Sequence, residues 1–282
     1  MLNISKTINI MRSYLYSMLV VFSWIAVLLA CQSQETNSEE NADETVTEVA
    51  NPAMPGFDME NSDPEAIELA DLVMEAMGGR KQWDDLHYTT WVFFGNRKHT
   101  WDKYSGDVRV DYLRDTVHRK VVLFNVHDME GKVQMDGQEL ADADSASKLI
   151  QAAKSHWIND MYWLFMPFKM KDDGVTLKYA GQDTTETGAM AEVVEMTFEE
   201  VGDTPQNKYH VFIDPETHMV VQWNYFADAS DESPRFKSSW EGYDTYGGIK
   251  LSSDRMFYGN TMRYLTEIAV MDTLEQDILK AF

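Results

Sequence analysis

Apolar and polar residues alternate in short runs through most of the chain after Trp83, and turn-forming residues separate the runs. In "DVRVDYL" (107–113), Val108, Val110 and Tyr112 fall on one side, Arg109 and Asp111 on the other. The same texture recurs in "HYTTWVFFG", "RKHTWDKY", "RKVVLFNVHD", "GKVQMDG", "GVTLKYAG", "AEVVEMTFEEV", "KYHVFID", "MVVQWNYFAD", "FKSSWEGYDTY", "IKLSSDRMFYG" and "MRYLTEIAVMD". Period two is the spacing of a strand with one buried face, and short connections make neighbouring strands antiparallel. Met129-Glu130-Gly131 joins one pair. Asp214-Pro215-Glu216-Thr217 reads as the turn of a hairpin within "FIDPETHMVVQW".

Two stretches carry helical spacing instead. Ile67, Ala70, Leu72, Val73, Ala76 and Met77 recur at three and four, with Asp63 as N-cap, Pro64 in the first turn and Gly78-Gly79 as the stop. Ser145 to His156 places Leu149, Ile150, Ala152 and Ala153 for burial and leads into "WINDMYWLFMPFKM" (157–170), where Pro167 prevents an unbroken helix. The expected fold class is mainly β with a few helices (α+β), a large curved antiparallel sheet with one or two helices against it.

The N-terminus has neither period. Lys6 and Arg12 precede an uncharged, mostly apolar run from Ser13 to Ala30. That is the layout of an export signal, with Ala30 as the small residue at the cleavage site. The run is also close to a membrane span in length, so an uncleaved anchor helix is the competing reading. From Gln32 to Glu65 there are ten Asp or Glu and no Lys or Arg, a composition that cannot bury enough surface to fold. The chain therefore divides into a signal peptide (1–30), an acidic tether (31–62) and one folded domain (63–282).

Composition narrows the function. With 44% hydrophobic and 12% aromatic residues, a core is assured. A formal net charge of −23 argues against nucleic acid and against electrostatic docking on anionic lipid. Cys31 is the only cysteine, so no internal disulfide can form. Leu28-Leu29-Ala30-Cys31 resembles the bacterial lipobox. The resemblance implies cleavage before Cys31 and acylation of its sulfur and new amine. One acyl chain binds a membrane only marginally, whereas two or three hold stably. Gln32 in place of Asp after the cysteine favours the outer membrane of a Gram-negative envelope, on its periplasmic or surface face.

The succession "AMGGRKQW", strands, a mid-chain helix, "YWLFMPFKMKDDGVTLKYAG" and "VVEMTFEEVGDTPQNKYHVFIDPETHMVVQWNYF" resembles the LolA/LolB-like superfamily over roughly residues 63–282. The resemblance implies an unclosed β-barrel lidded by helices around an apolar cavity for acyl chains.

No catalytic constellation is legible. The seven histidines form no His-x-x-x-His pair, and a metal site would have to be assembled from distant strands. There is no Gly-x-Ser-x-Gly elbow and no phosphate-binding loop. Asp172-Asp173 beside Gly174 reads as a turn. The expectation is a non-enzyme without metal or cofactor.

The aromatics are more informative. Trp91, Phe93, Trp101, Tyr162, Trp163, Phe165, Phe168, Trp223 and Tyr225 lie in or beside strands or at the helix exit. Each taken alone is ordinary core. A half-barrel has more concave surface than a core fills, and aromatic and methionine walls suit acyl chains. Trp91, Phe93, Trp163, Phe165, Phe168 and Trp223 are therefore the candidate cavity residues, with Trp163, Phe165 and Phe168 at its edge. Two functions compete: a carrier or receptor for lipid or lipoprotein acyl chains, and an envelope sensor or scaffold that binds a protein partner with the same fold.

Overall fold

The computed structural model describes residues 50–282 apart from 200, 260 and 276. The expected signal peptide, Cys31 and the tether as far as residue 49 lie outside the described residues. Among those described, no helix is long and apolar enough to cross a membrane.

Two helices come first, α1 (Pro64–Ala76) and α2 (Arg80–Asp85). A six-strand meander follows: β1 (Tyr88–Phe93), β2 (Arg97–Asp102), β3 (Asp107–Tyr112), β4 (Lys120–Asn125), β5 (Gly131–Met135) and the short β6 (Gln138–Glu139). The long helix α3 (Ala143–Phe165) and a 3₁₀ turn (Met166–Lys169) then carry the chain to the far side of the sheet. There β7 (Val175–Thr184), β8 (Met190–Phe198), β9 (Lys208–Ile213), β10 (Val220–Phe226) and β11 (Phe236–Ser239) form a second antiparallel run. The last strands are β12 (Glu241–Tyr246), β13 (Ile249–Phe257) and β14 (Thr261–Met271).

All fourteen strands belong to one antiparallel sheet ordered β6-β5-β4-β3-β2-β1-β14-β13-β11-β10-β9-β8-β7, with β12 paired to β13. The sheet is mainly β in the expected sense and is not closed, because β6 and β7 remain at its two edges. Register shifts interrupt the β1–β14, β7–β8 and β9–β10 pairs. Such bulges bend a sheet and sharpen its twist.

The alternating runs map onto strands because their buried side is continuous across the sheet. Val108 and Val110 on β3, Val122 and Phe124 on β4 and Val133 on β5 are all buried in one core. Helix α3 lies over β4, β5 and β13 and sinks Ile150, Ala153, Trp157, Met161, Leu164 and Phe165 into that core. Each fully buried large apolar side chain contributes about 1.5–3 kcal/mol, so this one helix face is a principal source of stability. The hairpin turn after β9 is as expected: the Asp214 carboxylate accepts hydrogen bonds from Glu216 N (3.0 Å) and Thr217 N (2.7 Å).

Helix α1 stops where Gly78-Gly79 requires. Gly78 has φ +119°, and a Cβ there would stand 2.4 Å from the carbonyl oxygen of Gly248. Only glycine lets the helix end abut the β12–β13 turn. At the other end Asp63 is the N-cap by position, but its carboxylate turns away from the helix. It accepts from Tyr179 N and Lys178 Nζ, both at 3.0 Å, and so pins the helix to β7.

Two expectations need correction. Helix α3 does not end near His156; it runs through "WINDMYWLF", and Pro167 falls within the 3₁₀ turn, where its missing N–H costs least. Nor does the tether extend to residue 62. Phe57 is buried in the core, Met54 N donates to Lys171 O, Asp58 N to Val175 O and Asp63 N to Leu177 O. Residues 51–63 thus cover the outer edge of β7 at its start. The acidic composition concealed this because the acidic side chains are themselves engaged: besides the backbone bonds and the Phe57 anchor, the Asp58 and Asp63 carboxylates and the Ser62 hydroxyl accept hydrogen bonds from β7.

Candidate functional site

A cavity of about 610 Å³ opens between α3 and the β8–β11 part of the sheet. That lies within the roughly 300–1,000 Å³ range of small-molecule sites. Its sheet wall follows from strand register. On β10, Trp223 and Tyr225 are two apart and share a face. Tyr225 stands opposite Phe236 on β11 and opposite Tyr209 on β9. The three rings form a row across three strands, with centroids 4.8 Å and 5.5 Å apart. Trp223 lies beneath the row, stacked on Tyr209 at 4.8 Å.

The helix wall is the flank of α3 that carries Ser155, Ile158, Asn159, Tyr162 and Trp163. Trp163 meets Trp223 edge to face at 4.5 Å. Its backbone is fixed by Arg255 on β13, which is fully buried. Arg255 donates from Nη2 to the Trp163 carbonyl (2.6 Å) and from Nη1 to Ser252 Oγ (2.6 Å), and its guanidinium sits 3.8 Å from the centre of the Trp240 ring. Burial pushes the Arg255 guanidinium down to about 9. A cation at the last turn of a helix also answers the carbonyls left free there.

The opposite flank of α3 is tied to β2. Asp160, wholly buried, accepts from Arg97 Nε (2.7 Å) and Nη2 (2.8 Å), from His99 Nε2 (2.7 Å) and from Asn159 Nδ2 (2.9 Å). Burial would raise its carboxyl, but the hydrogen bonds from His99 and Arg97 prevail and hold it below the usual carboxylate range. Burial pushes the His99 imidazole below its ordinary value. The geometry agrees: Nε2–H donates to Asp160, while Nδ1 is buried without a partner. A second proton on Nδ1 would be a buried donor with no acceptor.

The six candidate residues separate into two groups. Trp163 and Trp223 line the cavity. Trp91, Phe93, Phe165 and Phe168 are buried elsewhere, in the core. Trp91 stacks on His99 at 4.7 Å, and Phe93 packs on Phe94 at 4.1 Å. Phe165 touches Trp83 and Trp91, while Phe168 stacks on Trp83 at 4.9 Å. The helix explains the split, since residues two apart are turned about 200° from each other and Trp163 and Phe165 face opposite ways. Tyr209, Phe198 and Phe236 complete the wall and were not singled out. The alternation of Tyr209 and Val211 in "KYHVFID" was the available signal.

The lining carries polar groups as well. The hydroxyl of Tyr162 and Nε1 of Trp223 are buried without hydrogen-bond partners. Burial raises Tyr162 well above the ordinary tyrosine value and Tyr209 to about 12, so both hydroxyls keep their protons. Lys169, Asp172, Asp173 and Asp203 also line the cavity. Among the described residues no group of three His, Asp or Glu side chains is placed to hold a metal ion.

No family model matches the chain, and no curated protein matches its sequence. Solved structures do. The chain is similar to a DUF1329 family protein from Desulfovibrio piger, at 12% identity and TM-score 0.42, over 78% of this chain and 98% of that one. It is similar to a LolA superfamily protein from Nitrosomonas europaea, at 8% identity and TM-score 0.39, over 74% and 96%. It is also similar to a putative outer membrane lipoprotein-sorting protein domain from Vibrio parahaemolyticus, at 10% identity and TM-score 0.36, over 77% and 96%. None of the three reaches a TM-score of 0.5.

Proposed function

We propose that this protein binds the hydrocarbon chain of an amphiphile in the cavity beneath α3, as a lipid-anchored protein of a Gram-negative envelope. The observation that carries the reading is the cavity itself. Seven aromatic rings, from Tyr162, Trp163, Phe198, Tyr209, Trp223, Tyr225 and Phe236, line about 610 Å³ of space. Concave, largely apolar walls with a few polar groups are the form that binding sites for such ligands take. Aromatic faces that stay in contact with water lose the gain of about 25 cal/mol per Å² that an apolar occupant restores. The role is binding, with carriage or reception of acyl chains as its narrower form.

Native mass spectrometry of protein purified without detergent tests the reading. The expected outcome is a co-purifying species of lipid mass that is lost in Tyr225→Asp, a half-buried lining position, while circular dichroism shows the variant folded. A cavity empty in every preparation, together with a tightly held polypeptide, would replace it with the protein-binding alternative.

The anchor is tested separately. Cys31→Ala is expected to abolish labelling by palmitate and to leave the precursor uncleaved, because the chain has no other thiol. Equal labelling of the two proteins would end the lipoprotein reading.

A further inference from the structure

Pro167 removes a hydrogen bond from the wall of the cavity. In a continuing helix the Trp163 carbonyl would accept from the backbone N–H four residues on, and residue 167, a proline, has none. The N–H of Met166 does not replace it, because it is given to the Tyr162 carbonyl. The missing donor comes from another element: Arg255 on β13 donates from Nη2 to the Trp163 carbonyl at 2.6 Å. This brings a full cation into the interior. Arg255 is wholly buried, and its hydrogen bonds go to the carbonyls of Trp163 and Asp254 and to Ser252 Oγ, not to a carboxylate. A buried charge held only by neutral groups is costly, and an apolar side chain of similar size often serves stability better. Stability alone therefore does not call for an arginine at this position.

What the arginine does is join the two walls. Its guanidinium lies 3.8 Å from the centre of the Trp240 ring, Trp240 meets Trp223 edge to face at 5.6 Å, and Trp223 meets Trp163 at 4.5 Å. Trp163 and Trp223 line the cavity, one from α3 and one from β10, whereas Arg255 stands behind them, outside the lining. A planar group that rests on one ring and donates sideways to the helix backbone fixes the spacing between helix wall and sheet wall. We infer that Arg255 is a positioning residue of the cavity: it replaces the N–H that Pro167 lacks, holds Trp163 against Trp223, and so sets the width that an occupant meets without touching the occupant itself. This rests on the cavity being the binding site and goes beyond it to the residue that shapes it.

Two measurements on the full-length protein test it. N-phenyl-1-naphthylamine, an uncharged probe whose fluorescence rises in apolar surroundings, reads the cavity. Near-ultraviolet circular dichroism reads the packing of the tryptophans. Arg255→Met keeps the bulk of the side chain and removes the cation. It is expected to bind the probe about tenfold more weakly than the parent and to lose much of the near-ultraviolet signal, with the far-ultraviolet spectrum kept and the melting temperature within a few degrees. Arg255→Lys, which keeps the charge but not the planar fork, should fall between the two. Parental affinity and parental near-ultraviolet signal in folded Arg255→Met overturn the assignment. So does a variant that melts well below the parent yet binds as the parent does, which would make Arg255 a stabilising residue only. If Arg255→Met does not fold, Arg255→Lys decides, and parental affinity there overturns the assignment. A parent that does not take up the probe would instead overturn the cavity as a binding site, and the near-ultraviolet comparison would still show whether Arg255 positions the tryptophans.

Discussion

Asp160 shows how much one residue can organise here. Its carboxylate joins α3 to β2 through Arg97 and His99 and is satisfied by four hydrogen bonds. Removing one member of a buried pair strands the others, so Asp160→Ala should cost about 3–5 kcal/mol in denaturant unfolding. The same cluster sets a pH dependence. His99 has a folded pKa below its ordinary value of 6.5. As pH falls through 6.5 the unfolded chain takes up a proton there that the folded chain refuses, and stability declines until the folded value is reached. Asp160 is depressed below 3.8, so its contribution is present above 3.8 and is lost as pH falls through its lower folded value. Both act in one direction, and acid loosens the link between helix and sheet. Melting temperatures measured between pH 7 and 4 should fall less steeply in His99→Gln than in the parent. An unchanged slope would show that His99 does not carry this part of the profile. None of this was legible in the sequence. Arg97 and His99 read as ordinary alternation on a strand, and their partner lies some sixty residues away on a helix.

At the scale of elements, period and punctuation went far. The alternating runs became strands, the Asp-Pro-Glu-Thr turn closed its hairpin, and the double glycine ended α1. The cavity residues were harder, because the aromatic cluster reads differently on a helix and on a loop. Continued helix sends Trp163 to the cavity and Phe165 to the core. Phe165→Asp is therefore expected to unfold the domain, as an unpaired charge in a fully buried position does, with circular dichroism as the measure. A folded protein with weakened ligand binding would return Phe165 to the cavity wall. The start of the domain was misjudged for a related reason, since an acidic stretch reads as solvated, whereas residues 51–63 bond β7 through their backbone and through the Asp58 and Asp63 carboxylates. Deleting residues 50–62 should remove the buried Phe57, worth about 1.5–3 kcal/mol, and bare the β7 edge, lowering the melting temperature by several degrees. An unaltered melting curve would put the boundary back at Asp63.

For the whole molecule, the open sheet and its helices were anticipated, whereas the order of its strands was not, because pairing across long stretches of chain leaves no local mark. The decisive junction is β1 with β14, which sets Tyr88 opposite Met271 and Phe93 opposite Leu265. That pairing has a consequence for how the protein is made. The meander β1–β6 leaves the ribosome early, and one flank of β1 then waits, without its neighbour, for nearly the whole remaining chain. An apolar strand edge left bare for so long invites pairing with the wrong chain. Closing so large a loop is also slow, which lengthens the wait. Synthesis of the last strand is thus the event that joins the two halves, and until then the nascent protein depends on whatever shields it.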